Sequence, residues 1–219
     1  MKKIVILIVS LFLFTGTVMA QNQPVEGEDY VTRISAPLEM GQKVEVVEFF
    51  SYGCPYCAMV EPQLEKWLEQ KSDDVIFTRI AIPRRDRWIE YARTFYTLSF
   101  YDQQTEQYIL PLLYKAIHEE KQKLDDATAM LNWLEGQGID RAEIEKIYFS
   151  DRVTQAIEQG LKTTSEYQVQ TIPAIYINGQ MSGRQQILLN SQDGYNKVAD
   201  TLKALVDNAV ILNQSAGSK

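Results

Sequence analysis

The chain has 219 residues, is 45% hydrophobic and 23% charged, and carries a formal net charge of −7. That is the composition of a globular protein, and the acidic balance argues against a nucleic-acid binder, which needs a basic face. Two cysteines and one histidine exclude a disulfide-stapled mini-fold and any multi-histidine metal site.

Residues 1–20 place Lys2 and Lys3 before an apolar run over 4–14 and end on Val18-Met19-Ala20. This is the pattern of a secretory signal peptide, cut after Ala20. The two lysines leave with it and no acid does, so the mature chain has 199 residues and a charge of −9. Export implies an oxidising compartment, where a single pair of cysteines is either a staple or a reactive site. Residues 21–28 read as a loose polar arm, and 29–34 as a short edge strand. Residues 43–50, Lys-Val-Glu-Val-Val-Glu-Phe-Phe, predict a buried strand that turns at Ser51-Tyr52-Gly53. Helical spacing follows at once, with Cys57, Val60, Leu64, Trp67 and Leu68 on one face. Pro55 suits the first helical turn, and Pro62 should kink the helix.

Residues 75–82 predict a second buried strand, stopped by Pro83 and parallel to the first across the helical crossover. From about 88 to 161 the pattern is helical, with stretches at 88–100, 107–118, 126–135 and 141–150 and joints at Gly136 and Gly138. Strand character returns at Thr171-Ile172-Pro173-Ala174-Ile175-Tyr176-Ile177, followed by Asn178-Gly179 as a hairpin turn. A last amphipathic helix is expected over 193–210, and a frayed tail over 213–219.

Cys54-Pro55-Tyr56-Cys57 stands where a strand ends and a helix begins. Unpaired amides at a helix mouth, together with the helix dipole, favour an anion, so Cys54 should ionise easily. Cys57, one turn inside, is placed to attack a mixed disulfide formed at Cys54. A purely structural disulfide closing so short a loop gains little entropy. Zinc needs two further ligands. Haem attachment needs histidine after the second cysteine, where Ala58 stands. Neither metal nor organic cofactor is therefore expected. Glu48 interrupts an apolar strand, and the pattern leaves open whether it is buried near the dithiol or faces solvent. Pro173 opens a strand, and its peptide isomer is not legible from local pattern. His118 reads as a satisfied core histidine. Arg84-Arg85-Asp86-Arg87 reads as a solvated loop, too short a basic run to claim a partner.

The run Val47-Glu48-Phe49-Phe50-Ser51-Tyr52-Gly53-Cys54-Pro55-Tyr56-Cys57, the helical insertion with Ala116-Ile117-His118, and Ile172-Pro173-Ala174-Ile175-Tyr176-Ile177-Asn178-Gly179 resemble the DsbA family of periplasmic thiol:disulfide oxidoreductases. The resemblance implies an α/β thioredoxin fold, a small mixed sheet flanked by helices, with an inserted all-helical domain. Its parts would be 21–84 and 162–219 for the thioredoxin-like domain and 85–161 for the insertion. It implies that Cys54 is the exposed nucleophile, Cys57 the buried resolving thiol and Glu48 a buried acid. It further implies that Pro173 is cis and, with Ile172, holds substrate main chain beside Pro55 and Tyr56. The function implied is oxidation of reduced, unfolded exported proteins, with re-oxidation by a membrane quinone-linked partner of the DsbB type. The alternatives are a disulfide isomerase or reductase, and a chaperone-like binder. Only residues 21–42 precede the first core strand, too few for the separate dimerisation domain of the dimeric isomerases. Tyr56 departs from the histidine of the best-known members and matches the glutaredoxin choice. DsbA sits at about −120 mV and glutaredoxins at about −200 to −230 mV, so Tyr56 predicts a less oxidising couple.

Overall fold

The computed structural model describes residues 23–33, 43–180 and 183–216. The signal peptide and its cut after Ala20 lie outside the described residues. Strand β2 (Val44–Phe50) forms because five β-branched or aromatic residues fill seven positions, and it is buried on both faces. Its odd and even positions therefore fill two different cores. Helix α1 (Pro55–Leu68) crosses over to β3 (Val75–Ala81), which pairs with β2 in parallel from Val44↔Val75 to Phe50↔Ala81. Helix α1 passes through Pro62 without ending, because that residue lies on the exposed face.

The sheet is completed by β4 (Ala174–Gln180), β5 (Gly183–Ile187) and the edge strand β1 (Tyr30–Arg33), in the order β1-β5-β4-β2-β3. All pairings but β2–β3 are antiparallel. The arm before β1 is less loose than its composition implies: the Asp29 carboxylate accepts from the Val25 amide at 2.8 Å, and the Gly27 amide donates to Tyr30 O at 2.7 Å. Asn178-Gly179 is not the hairpin turn. Both residues lie inside β4, next to a register irregularity between Ile177 and Gln180. Packing overrides the local turn preference here. The Asn178 side chain is buried and donates to Glu45 at 2.9 Å and to the Tyr167 hydroxyl at 2.6 Å, and Gly179 lies against Val44.

A 3₁₀ turn (Asp86–Trp88) leads into the helical block α2 (Ile89–Tyr101), α3 (Gln103–His118), α4 (Ala127–Gly136), α5 (Arg141–Tyr148) and α6 (Asp151–Glu166). Aspartates start three of these helices. Asp102, Asp126 and Asp140 each accept the amide three residues on, at 2.7, 2.9 and 2.9 Å, which satisfies one orphan donor apiece. The joint at Gly138 has φ +89°, a left-handed conformation that glycine adopts without steric cost. Helix α6 continues through the expected 161/162 division to Glu166. Its Val153 and Ile157 belong to the helical core, while it also reaches β3.

The last helix is two. Short α7 (Gln192–Asn196), capped by Ser191, precedes α8 (Val198–Ala216), which runs further into the expected tail than composition suggests. Helix α8 packs on α1 and on one face of the sheet, closing a core of Val44, Val46, Val60, Leu64, Ile177 and Leu202. The opposite sheet face buries Val47, Phe49, Ile80 and Tyr176 against Tyr167 and Val169. A third cluster runs from Phe50, Tyr52, Cys54 and Cys57 into the helical block, so the dithiol sits where the two halves share one core.

Candidate active site

Strand β2 ends at Phe50 because the chain turns through Ser51-Tyr52-Gly53. The Cys54 amide donates to Ser51 O at 3.0 Å. Gly53 is required by space: a Cβ there would lie 2.6 Å from Cε2 and 2.8 Å from Cδ1 of the buried Trp88 indole. Two aromatic contacts hold the turn from below. Tyr52 meets Phe50 edge-on at 5.3 Å between ring centroids, and Tyr114 of α3 at 5.4 Å. Helix α3 also grips the turn directly, since His118 Nε2 lies 2.7 Å from the Tyr52 carbonyl. A carbonyl only accepts, so Nε2 carries the proton. His118 is thus satisfied, as expected, and its partner is the active-site turn.

Cys54 is the N-cap of α1, with Pro55 at the first helical position. Its carbonyl accepts from Cys57 and Ala58 at 3.1 and 3.2 Å, which closes the first helical turn around the motif. Both cysteines are free thiols. The neutral Cys54 thiol donates to Ile172 O at 3.6 Å and makes no capping bond. Once ionised, it becomes an acceptor. A hydrogen bond from the Cys57 thiol, then the amides of Cys57 and Tyr56 and the charge of Arg85, together outweigh burial and lower its pKa to about 7. Cys57 moves the other way, pushed up by burial and by its bond to Cys54. One correction concerns exposure. Cys54 is only 4% exposed and Cys57 0%, so the nucleophile is distinguished by its edge on a groove and its ionisation more than by open access.

In the reduced chain, thiolate absorbance near 240 nm should rise with a midpoint of about pH 7 from Cys54 alone, with Cys57 silent through neutrality. The sign for stability follows. The folded pKa of Cys54 is below its ordinary value near 9, so the reduced fold gains stability that is complete above that value and fades as pH falls through about 7. A single transition near 9 would contradict this assignment.

Glu48 is buried, 0% exposed, on the face of β2 that α1 covers. It meets a partner that the pattern did not announce: Arg79 of β3, its register neighbour, whose Nε donates to Glu48 Oε2 at 2.9 Å. Arg79 also pairs with the buried Glu61 of α1 and lies 3.6 Å from Glu65. Burial pushes Glu48 and Glu61 above the ordinary carboxylate range despite Arg79. Burial opposes the charge on Arg79, but the two carboxylates outweigh it and push its pKa up, so the cation persists. One guanidinium thus faces two buried carboxyl groups, with the half-exposed Glu65 beside them. Glu48 Oε1 and Glu61 Oε2 have no hydrogen-bond partner among the described residues. The charge of Glu48 contributes to raising the Cys57 pKa, which places this cluster within electrostatic reach of the dithiol.

Across the sulfur lies the Ile172–Pro173 bond, which is cis. Cys54, Pro55, Tyr56, Thr171 and Ile172 line one groove of about 550 Å³ with Arg84, Arg85, Arg87 and Trp88. The basic run is a solvated loop, as its sequence suggests, but it is not remote from the site. Its arginines are exposed, but they border the reactive sulfur. Tyr56 is 52% exposed and stacks on Tyr195 of α7, with centroids 5.7 Å apart and planes 13° from parallel. The structure thus brings Cys54, Cys57, Pro55, Tyr56, Ile172 and Pro173 to one place, with Glu48 beneath. Sequence reasoning missed Arg79, Glu61, Arg85, Trp88 and Tyr195. A signal existed for two of them. Arg79 is the fifth residue of its strand as Glu48 is of its own, and Glu61 is one helical turn beyond Cys57.

A family described as Thioredoxin matches residues 41–205. The thiol:disulfide interchange protein DsbA of Burkholderia cepacia is 31% identical over 186 residues, 82% of this chain and 85% of that protein. The DsbA of Pseudomonas aeruginosa strain PAO1 is 33% identical over 155 residues, 70% of this chain and 72% of that one. The crystal structure of Pseudomonas aeruginosa DsbA superposes with a TM-score of 0.72 at 28% identity, covering 88% of this chain and 96% of that one.

Proposed function

The chain belongs to the DsbA family, within the thioredoxin fold, and from that premise we propose that it is a dithiol oxidase that introduces disulfide bonds into exported proteins. The observation that carries the reading is the opposed pair of thiols: one at a helix mouth with a pKa of about 7, the other buried with its pKa raised. In the oxidised form a client thiolate attacks Cys54 Sγ. The Cys54–Cys57 bond breaks, and Cys57 leaves with the electron pair. A second client thiolate then attacks its own sulfur in the mixed disulfide, and Cys54 leaves as the stabilised thiolate. Two electrons pass from client to enzyme, and the client keeps the new bond. Low thiolate pKa makes Cys54 a good leaving group, which drives transfer outward.

Cys57 must gain a proton when it is released, because burial disfavours its anion. Glu48, buried with its raised pKa and an oxygen free of partners, is the proposed carrier of that proton. Ile172 and Pro173 flank the sulfur where client main chain would pass, with Pro55 and Tyr56 forming the opposite lip. The helical unit, proposed as an insertion beginning near 85, supports the active-site turn through His118 and Tyr114. The reading also takes residues 1–20 as a cleaved signal, places the mature chain in the periplasm, and has a membrane quinone-linked DsbB-type protein restore the disulfide.

The test mixes the oxidised chain with a peptide bearing two reduced cysteines. Stoichiometric loss of peptide thiols matched by gain of two thiols on the chain is expected; no transfer would sink the oxidase reading. Tyr56 sets the strength of the couple. Histidine at that position adds a positive charge beside Cys54 that tyrosine lacks. Tyr56→His should therefore lower the Cys54 pKa and move the glutathione equilibrium toward the reduced enzyme by about tenfold, one pKa unit being a factor of ten. An unchanged Cys54 pKa would show that Arg85 already supplies the charge.

A further inference from the structure

Three of the molecule's arginines, Arg84, Arg85 and Arg87, line the groove at Cys54. Arg79, Arg93 and Arg141 are held in ion pairs, Arg152 and Arg184 lie over the rings of Phe100 and Tyr167, and Arg33 bonds Gln186. Arg84, Arg85 and Arg87 are exposed and have no ion-pair partner among the described residues. Asp86, the acid within the run, does not line the groove. Arg85 is steadied 5.1 Å from the Trp88 ring centroid, and its charge reaches the Cys54 sulfur. A chain with a net charge of −7 thus concentrates unpaired cations along the rim of its reactive groove.

Resting on the oxidase reading above, we propose that this rim makes the enzyme select client segments that carry acidic residues beside the reacting cysteine. The geometry sets where those residues fall. Ile172 O lies 3.6 Å from Cys54 Sγ, so an extended client whose cysteine reaches Cys54 runs beside Thr171 and Ile172. Side chains flanking that cysteine then project across the groove toward Arg84, Arg85 and Arg87. A lysine-flanked segment meets like charge at the same positions. Steering by a charged cleft acts before the exchange, on encounter, and is weakened by salt. The chemistry is unchanged: a client thiolate displaces Cys57 from Cys54, and a second client thiol completes the two-electron transfer.

The test uses three peptides of one length, each with a single reduced cysteine flanked on both sides by glutamate, glutamine or lysine. Each is mixed with the oxidised full chain, and mixed-disulfide formation is followed by rapid acid quench and mass spectrometry. Rates are divided by each peptide's thiolate fraction, because flanking acids raise the cysteine's own pKa. At low salt the glutamate peptide should react about tenfold or more faster than the lysine peptide, with glutamine between, on the scale of a few exposed charge pairs. The ratio should shrink at about 0.5 M salt, where screening is complete within a few ångströms. It should also fall toward one in the R84Q/R87Q double variant. The ratio is the readout, so a general change in reactivity of the variant cancels. Three equal rates, or a ratio that persists in the double variant, would overturn the proposal while leaving the oxidase reading intact. No reaction with any peptide would overturn both.

Discussion

Cys54→Ala should abolish disulfide transfer to a reduced client by at least about 10³-fold, on the scale seen when an enzyme loses its nucleophile. In the proposed mechanism every step of the exchange passes through this sulfur, and Cys57, 0% exposed with its pKa raised, does not replace it. The companion variant separates roles. Cys57→Ala keeps the low-pKa sulfur at the helix mouth and removes the thiol beneath it. Offered a client that already holds a disulfide, its Cys54 thiolate should attack that bond, release one client thiolate and, with no Cys57 to resolve it, stay in a mixed disulfide, visible as a mass shift on non-reducing gels. The same pair decides against a chaperone-like binder. If the groove acted only by holding unfolded chains, Cys54→Ala would suppress client aggregation as well as the unaltered protein does, and its loss of oxidation would have no consequence for folding yield. The expected result is that folding yield of a disulfide-dependent client falls with oxidation.

Arg79→Met should destabilise the reduced protein by about 3–5 kcal/mol at neutral pH, the cost of breaking a buried ion pair from one side. The reason lies in what remains. Methionine fills much of the same space, but Glu48 and Glu61 are left buried without a cation. Their folded pKa values, already raised by burial, rise further. An acid whose folded pKa is above its unfolded one loses stability as pH climbs from the unfolded value through the folded one. The variant should therefore recover as pH falls toward 5 and be worst near 8, by urea unfolding at each pH. Adding Glu48→Gln and Glu61→Gln should restore much of the loss and flatten the pH dependence. An equal penalty at pH 5 and pH 8 would mean that lost packing, and not stranded charge, is responsible.

The secondary structure was readable where pattern and packing agree. The strand 44–50, the crossover helix and the parallel strand 75–81 carry their periodicity openly, and the helices of the insertion show their spacing and their glycine joint, though not the aspartate caps that start three of them. Asn178-Gly179 misled because a local turn preference of fractions of a kcal/mol competes with pairing along β2 and with two hydrogen bonds to the Asn178 amide. The break at Lys197 was hidden because the amphipathic pattern continues across it, and the serine cap at Ser191 marks only the start of α7. Glu48 was ambiguous for a physical reason. A strand covered on both faces has no polar side for alternation to reveal, so one charged residue in it reads equally as an error of register or as a buried site.

The chemistry of the dithiol was determined locally. A Cys-x-x-Cys at a strand-to-helix junction must meet helix-mouth amides, whatever surrounds it, because those amides belong to the residues that follow, here Tyr56 and Cys57. The charges that tune it were decided only by tertiary structure. Arg79 reaches Glu48 through a parallel register, Arg85 reaches Cys54 from a loop 31 residues away, and Tyr195 reaches Tyr56 from the far end of the chain. Electrostatic and stacking contacts act through space over a few ångströms, and one sequence carries no record of which distant residues fold to within that range.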